Sequence, residues 1–133
     1  LRLAVRRLIA RGECLPMDMR PTEDERRNGW TAPSLSDTER TNQETAVTPH
    51  DLAAISVGLI DGEVYLDLDY VLDSNADVDM NVVKTADGKY VEIQGTGEES
   101  TFSGEELVAL LARADGGLET LFDAQVAILD GIE

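Results

Sequence analysis

Five aspartates, Asp67, Asp69, Asp73, Asp77 and Asp79, fall within thirteen residues of a stretch that reads EVYLDLDYVLDSNADVDMNVVKTADGKYVEIQGTG from Glu63 to Gly97. Carboxylates at this density have two uses. They can form a solvated acidic surface, or a few of them can converge as hard oxygen ligands on Mg²⁺ or Mn²⁺ beside a reaction that accumulates negative charge. Asp73 and Asp79 lie six residues apart across Ser74-Asn75, a spacing that can bring both to one ion. From spacing alone the solvated turn and the metal site stand level.

The elements that position these residues read as strands. Side chains on a strand alternate faces with period two, so Val64, Leu66, Leu68 and Tyr70 are expected on one face and Tyr65, Asp67 and Asp69 on the other. The next segment repeats the pattern, with Val78, Met80 and Val82 opposite Asp77, Asp79, Asn81 and Thr85, which places Asp73 at a strand end. Leu52 to Ile60 is apolar and rich in β-branched residues, and Asp61-Gly62 after it is a two-residue type I′ hairpin signal that pairs 53–60 with 63–70. Ala86-Asp87-Gly88 joins 77–85 to 89–95 in the same way. Gly95-Thr96-Gly97 reads as a strand-ending turn and not as a phosphate cradle, since no helix begins directly after it.

A helix follows. Ser103 is its cap, Glu106 can reach back to close a capping box, and Phe102 can staple onto Leu107. Leu107, Leu110, Leu111, Ala114, Leu118, Leu121, Phe122 and Leu129 form its apolar stripe, and Gly116-Gly117 is expected to kink or divide it. About four strands backed by a long C-terminal helix make an α+β layer fold.

Ahead of the strands the chain changes character. Leu1, Ala4, Val5, Leu8 and Ile9 follow a helical stripe that closes at Gly12, with neither an initiator Met nor a capping side chain before Leu1, so the helix is expected to be entered midway along a longer chain. Residues 13–50 lose apolar periodicity, and the expectation is a polar, disordered insertion. The domain division is therefore 1–12, 13–50 and 51–133. Trp30 with Arg26 and Arg27 forms a local cluster or an anchor for a partner or a stacked base. His50, the sole histidine, lacks a second ligand or a nucleophile pattern, and the sole cysteine, Cys14, reads as an incidental thiol.

Composition narrows the function. Residues 1–51 hold eight arginines against nine acids, whereas residues 52–133 hold Lys84, Lys89 and Arg113 against eighteen acids, so nearly all of the net charge of −16 sits on the second part. Long-range attraction to nucleic acid is excluded for this chain by itself, and any contact with RNA needs a cation or another polypeptide segment to supply positive field. No apolar run approaches bilayer length, and no signal peptide is evident; the expected location is the cytoplasm.

The run Asp73-Ser74 through Asp79-Met80-Asn81-Val82-Val83, followed by Val91-Glu92-Ile93-Gln94-Gly95-Thr96, resembles the ribonuclease PH family of phosphate-dependent exoribonucleases and tRNA nucleotidyltransferases. The similarity is weak over Leu1 to Gly12 and strong from Ala53 to Leu129, and covers the later of that family's two similar halves. The resemblance implies a ribosomal-protein-S5-domain-2-like sheet, a ring hexamer built from dimers, and action on tRNA precursor 3′ ends with inorganic phosphate as co-substrate. It also assigns Asp73 and Asp79 as the catalytic pair and as the ligands of Mg²⁺ or Mn²⁺, Asp79 being further a candidate for proton transfer at the 3′ oxygen. Asp67, Asp69 and Asp77 stay with the solvated reading. The chain departs from the family in its long 13–50 segment and in lacking the phosphate-binding Gly-Thr-Arg motif, so no phosphate-binding residue is assigned. Two functions follow as expectations: phosphorolytic 3′-to-5′ trimming of RNA, silent in this chain by itself, or a non-catalytic scaffold subunit of an exosome-like ring. An acidic calcium module is disfavoured because no DxDxDG loop with a glutamate at position twelve occurs.

Overall fold

Helix α1 (Arg2–Ala10) stops at Gly12, whose φ of 70° suits a residue without a Cβ. Gly12 N–H donates to the Ile9 carbonyl and Glu13 N–H to that of Leu8, the paired bonds of a Schellman motif. The computed structural model describes residues 1–98 and 100–131. It comprises two units, one spanning Leu1–His50 and one beginning at Asp51.

The first unit departs from the expectation that 13–50 lacks regular structure. It contains a short 3₁₀ turn (Met17–Met19), α2 (Glu23–Arg27) and α3 (Asp37–Val47). Apolar periodicity does not start these helices. Capping boxes do: Thr22 exchanges bonds with Glu25, and Ser36 with Glu39. Val5, Ile9, Leu15 and Leu35 form a small core, with Trp30 packed partly against it. Glu44 on α3 accepts from Arg6 Nε at 2.9 Å and lies 3.7 Å from Arg2 Nε, tying α3 to α1.

In the second unit β1 (Leu52–Ile60) and β2 (Glu63–Leu66) flank the Asp61-Gly62 turn, whose φ values of 53° and 81° are those of the expected type I′ hairpin. Strand β2 is shorter than the expected 63–70. Asp67 takes a φ of 57° and ends it, and Tyr70–Asp73 is a short helix, α4. Strands β3 (Val78–Thr85) and β4 (Tyr90–Gly97) complete an antiparallel four-stranded sheet in the order β2-β1-β3-β4. Gly95 to Gly97 thus belongs to β4. The β3–β4 register shifts between Val83 and Lys84, and Thr85 beyond it is buried, against the alternation expected for it, with its hydroxyl bonded to the Lys89 carbonyl.

Helix α5 (Gly104–Asp130) lies on the apolar face and opens with the Ser103–Glu106 capping box. Leu110, Ala114 and Leu118 pack with Ala53, Val57, Leu59, Val78, Met80 and Val82 to form the core, an α+β arrangement consistent with the ribosomal-protein-S5-domain-2-like fold that the resemblance implies. The helix passes through Gly116-Gly117 as one element, correcting the expected break. Gly117 is a point of close approach: a Cβ there would lie 2.5 Å from Ile55 Cδ1 and 2.8 Å from Leu66 Cδ1. Among the described residues no helix is long and apolar enough to cross a membrane.

Candidate active site

The link from β2 to β3 is folded back over the polar face of the sheet by a sequence of local bonds. Ser56 on β1 holds its start, accepting from Asp67 N–H at its carbonyl (2.8 Å) and from Leu68 N–H at its hydroxyl (3.0 Å). Leu68 therefore does not share the face of Val64 and Leu66, as strict alternation implied. It packs where a side chain on Gly58 would stand, and Gly58 pairs with Asp79 across the β1–β3 ladder. Asp69 caps α4, its Oδ1 accepting from Val71 and Leu72 N–H at 3.0 and 2.9 Å. The far end is held by Asp77, whose N–H donates to the Leu59 carbonyl and whose Oδ2 accepts from Asp61 N–H, at 2.8 and 2.9 Å.

Three of the five aspartates are thus structural. Asp67 supplies the left-handed turn, Asp69 the cap and Asp77 the clamp on the hairpin. Asp73 stands at the C-terminal end of α4, not at a strand end, and Asp79 rises from β3. The two sequence-assigned residues line one depression of about 550 Å³, shared with Ser74 to Asp77 and with Glu98. Glu98 was not singled out from the sequence. It follows β4 and is fixed by its N–H on the Asp77 carbonyl at 3.1 Å. The signal lay in the register: Val78 pairs with Gly97, so the residue after Gly97 must fall beside Asp77.

Asp79 is the exceptional group. Its Oδ1 is sealed from solvent and has no hydrogen-bond partner among the described residues. Burial raises its carboxyl above the usual carboxylate range, the neighbouring charges of Asp73 and Glu98 raise it further, and the Met80 N–H acts weakly against them. None of the lining residues is a cation. Lys84 is taken by Asp115 at 2.8 Å and Lys89 by Asp87 at 2.7 Å.

An unpartnered buried oxygen beside two like-charged carboxylates is costly on its own and is what a divalent cation relieves. Among the described residues no group of three or more His, Cys, Asp or Glu side chains is arranged as a metal cage. Asp73 and Asp79 could offer two carboxylates between them, and Mg²⁺ is an ion that commonly takes one or two from the protein and keeps water and substrate oxygens in its other positions.

Residues 52–116 match the family model described as 3′ exoribonuclease family, domain 2. The matched span runs from β1 into α5 and contains every residue that lines the depression.

Proposed function

We propose that this chain, whose residues 52–116 match domain 2 of the 3′ exoribonuclease family, supplies the acidic half of a phosphorolytic 3′-to-5′ exoribonuclease site that trims tRNA precursor 3′ ends. The carrying observation is the sealed, unpartnered Asp79 Oδ1 beside Asp73. Asp73 and Asp79 would hold Mg²⁺ or Mn²⁺, which when bound neutralises charge at the scissile phosphodiester. Asp79 would give a proton to the departing 3′ oxygen, and Glu98 with Asp73 would bound the space for the last nucleotide. Inorganic phosphate is the attacking group: its oxygen forms a bond to the scissile phosphorus as the bond to the 3′ oxygen breaks, and a nucleoside diphosphate leaves.

Two anions meeting beside carboxylates need positive charge to hold and aim the phosphate, and no cation lines this depression. Those cations belong to another polypeptide segment, in keeping with a ring hexamer working in the cytoplasm. The same lack of a lining cation favours a second reading, a scaffold subunit of an RNA-processing ring that performs no chemistry itself.

The test is phosphate-dependent release of nucleoside diphosphates from a tRNA precursor with a 3′ tail. The chain by itself, the chain joined to a ribonuclease PH N-terminal half, and the joined form carrying Asp79→Asn are compared. Release by the joined form, lost in the Asp79→Asn form by about 100-fold or more, is the expected result. Inactivity of a folded joined form would leave the scaffold reading, and equal activity of the Asp79→Asn form would remove Asp79 from the chemistry.

A further inference from the structure

We propose that the first unit carries a separate pocket for a nucleoside phosphate, built from Arg20, Arg26 and Trp30. A cavity of about 530 Å³ there is lined by these three residues together with Glu13, Leu15 and Pro21. Its volume lies in the usual range of small-molecule pockets, roughly 300–1,000 Å³. The pocket stands independently of the reading given to Asp73 and Asp79.

Its charge is the first argument. In a chain of net charge −16, acidic partners are plentiful, yet among the described residues neither Arg20 nor Arg26 has an ion pair. Two of the nearby acids are engaged elsewhere: Glu25 accepts from the N–H and the hydroxyl of Thr22, both at 2.8 Å, and Glu23 pairs with Arg27 at 3.6 Å. Glu13 is the only lining carboxylate. Two arginines and one carboxylate line the pocket, so its lining is net positive on a negative chain.

Rigidity is the second. Arg20 Nε donates to the Leu15 carbonyl at 2.9 Å, which fixes the guanidinium plane and leaves its terminal nitrogens for a ligand. Trp30 is placed by a second Schellman motif: Gly29, with φ 79°, donates to the Arg26 carbonyl, and Trp30 N–H donates to that of Glu25 at 3.0 Å. The indole is half-buried against the core formed by Val5, Ile9, Leu15 and Leu35. It is therefore a preorganised stacking surface.

The ligand class follows from the combination. Guanidiniums take phosphate oxygens in bidentate fashion, a planar base stacks on the indole, and Glu13 can accept from a ribose hydroxyl. Inorganic phosphate would leave the indole unused, and a neutral nucleoside would leave both arginines unused. A free nucleotide and the phosphorylated end of an RNA strand share this chemistry.

Trp30 is the only tryptophan, so its fluorescence reads the pocket directly. ADP titrated into the whole chain at low salt should quench it saturably, and adenosine should bind at least about tenfold more weakly for want of the charged contacts. Inorganic phosphate, read by competition, should be weaker by a similar factor. Arg26→Ala should weaken ADP at least about tenfold. Arg20→Ala strips the Leu15 carbonyl of its donor, so Arg20→Lys, checked by circular dichroism, is the second variant and should also weaken ADP. A short single-stranded RNA ending in a 3′ phosphate separates the two sources: tighter binding than ADP assigns the pocket to strand ends, weaker binding to free nucleotides, and both uphold it. Absence of saturable quenching by ADP or RNA, adenosine binding as well as ADP, or unchanged affinity in Arg26→Ala would overturn it.

Discussion

Leu68 fills the space that a side chain on Gly58 would need: its Cδ1 lies 2.6 Å from where a Cβ would stand, and the Val78 carbonyl oxygen lies 2.9 Å away. Across the ladder Gly58 faces Asp79. The missing side chain is therefore what lets the 67–77 link settle over the sheet and bring Asp73 to Asp79.

Gly58→Val should lift Leu68 and move the Asp73 end of the link. Overpacking of this kind commonly costs about 1–3 kcal/mol. The expected outcome is a lower unfolding midpoint and weaker Mn²⁺-induced NMR line broadening at Asp79, with the β1–β3 amide pattern retained. A variant with unchanged stability and unchanged broadening would refute the role given to Gly58.

Asp79→Asn should stabilise the fold while weakening the site. The charged carboxylate is half-buried, meets Asp73 and Glu98, and has one oxygen without a partner. Because its folded pKa is raised above the unfolded value, the charged form is destabilising once the pH exceeds both values, and the amide removes that cost. A gain on the order of 1 kcal/mol in urea unfolding at neutral pH is expected, as for other relieved charge conflicts. Mn²⁺ broadening around residues 73–79 should decline in the same variant. A loss of stability would show that Asp79 is compensated within the fold.

Much of this architecture was legible because local and long-range signals agree. Asp61-Gly62, the alternation of Val78, Met80 and Val82, and the Ser103–Glu106 box each specify an element that the structure contains. Asp73 and Asp79, singled out from the sequence, line one depression with Glu98, which was not, since its place depends on how far β4 pairs with β3. The errors have physical causes. Leu68 and α4 broke the alternation because Asp67 adopts a left-handed conformation that no residue type demands. Helices α2 and α3 escaped a reading based on apolar period because caps start them, although Thr22-x-x-Glu25 and Ser36-x-x-Glu39 were visible signals. Gly116-Gly117 suggested a break, whereas Gly117 serves the contact with Ile55 and Leu66.

The β3–β4 turn should lose support in acid. Asp87 is held down to about 2, chiefly by its bond to Lys89 and then by that to Thr85. A folded pKa below the unfolded value of about 3.9 contributes stability that is complete above that value and disappears as pH falls toward the folded one. The stability difference between wild type and Asp87→Asn, measured by urea unfolding, should be constant from pH 7 to about 5 and shrink toward zero near pH 2. A difference independent of pH would mean that the contact with Lys89 contributes nothing as a charge pair.

The two neighbouring glycines of α5 should respond in opposite directions. Gly116 has no atom within 4 Å of where a Cβ would stand and lies inside a long helix, so alanine there limits the unfolded chain at no cost in packing. Gly116→Ala should therefore stabilise by about 0.5–1 kcal/mol. At Gly117 the same methyl would meet Ile55 and Leu66 at 2.5 and 2.8 Å, and both belong to the packed face beneath the helix. The helix would have to lift or those side chains leave their rotamers, so Gly117→Ala should lose about 1–3 kcal/mol despite the same gain in helix propensity. Thermal unfolding of the two single variants and of the double variant checks the pair. Equal shifts of the same sign would show that α5 does not sit on β1 and β2 as closely as these contacts require.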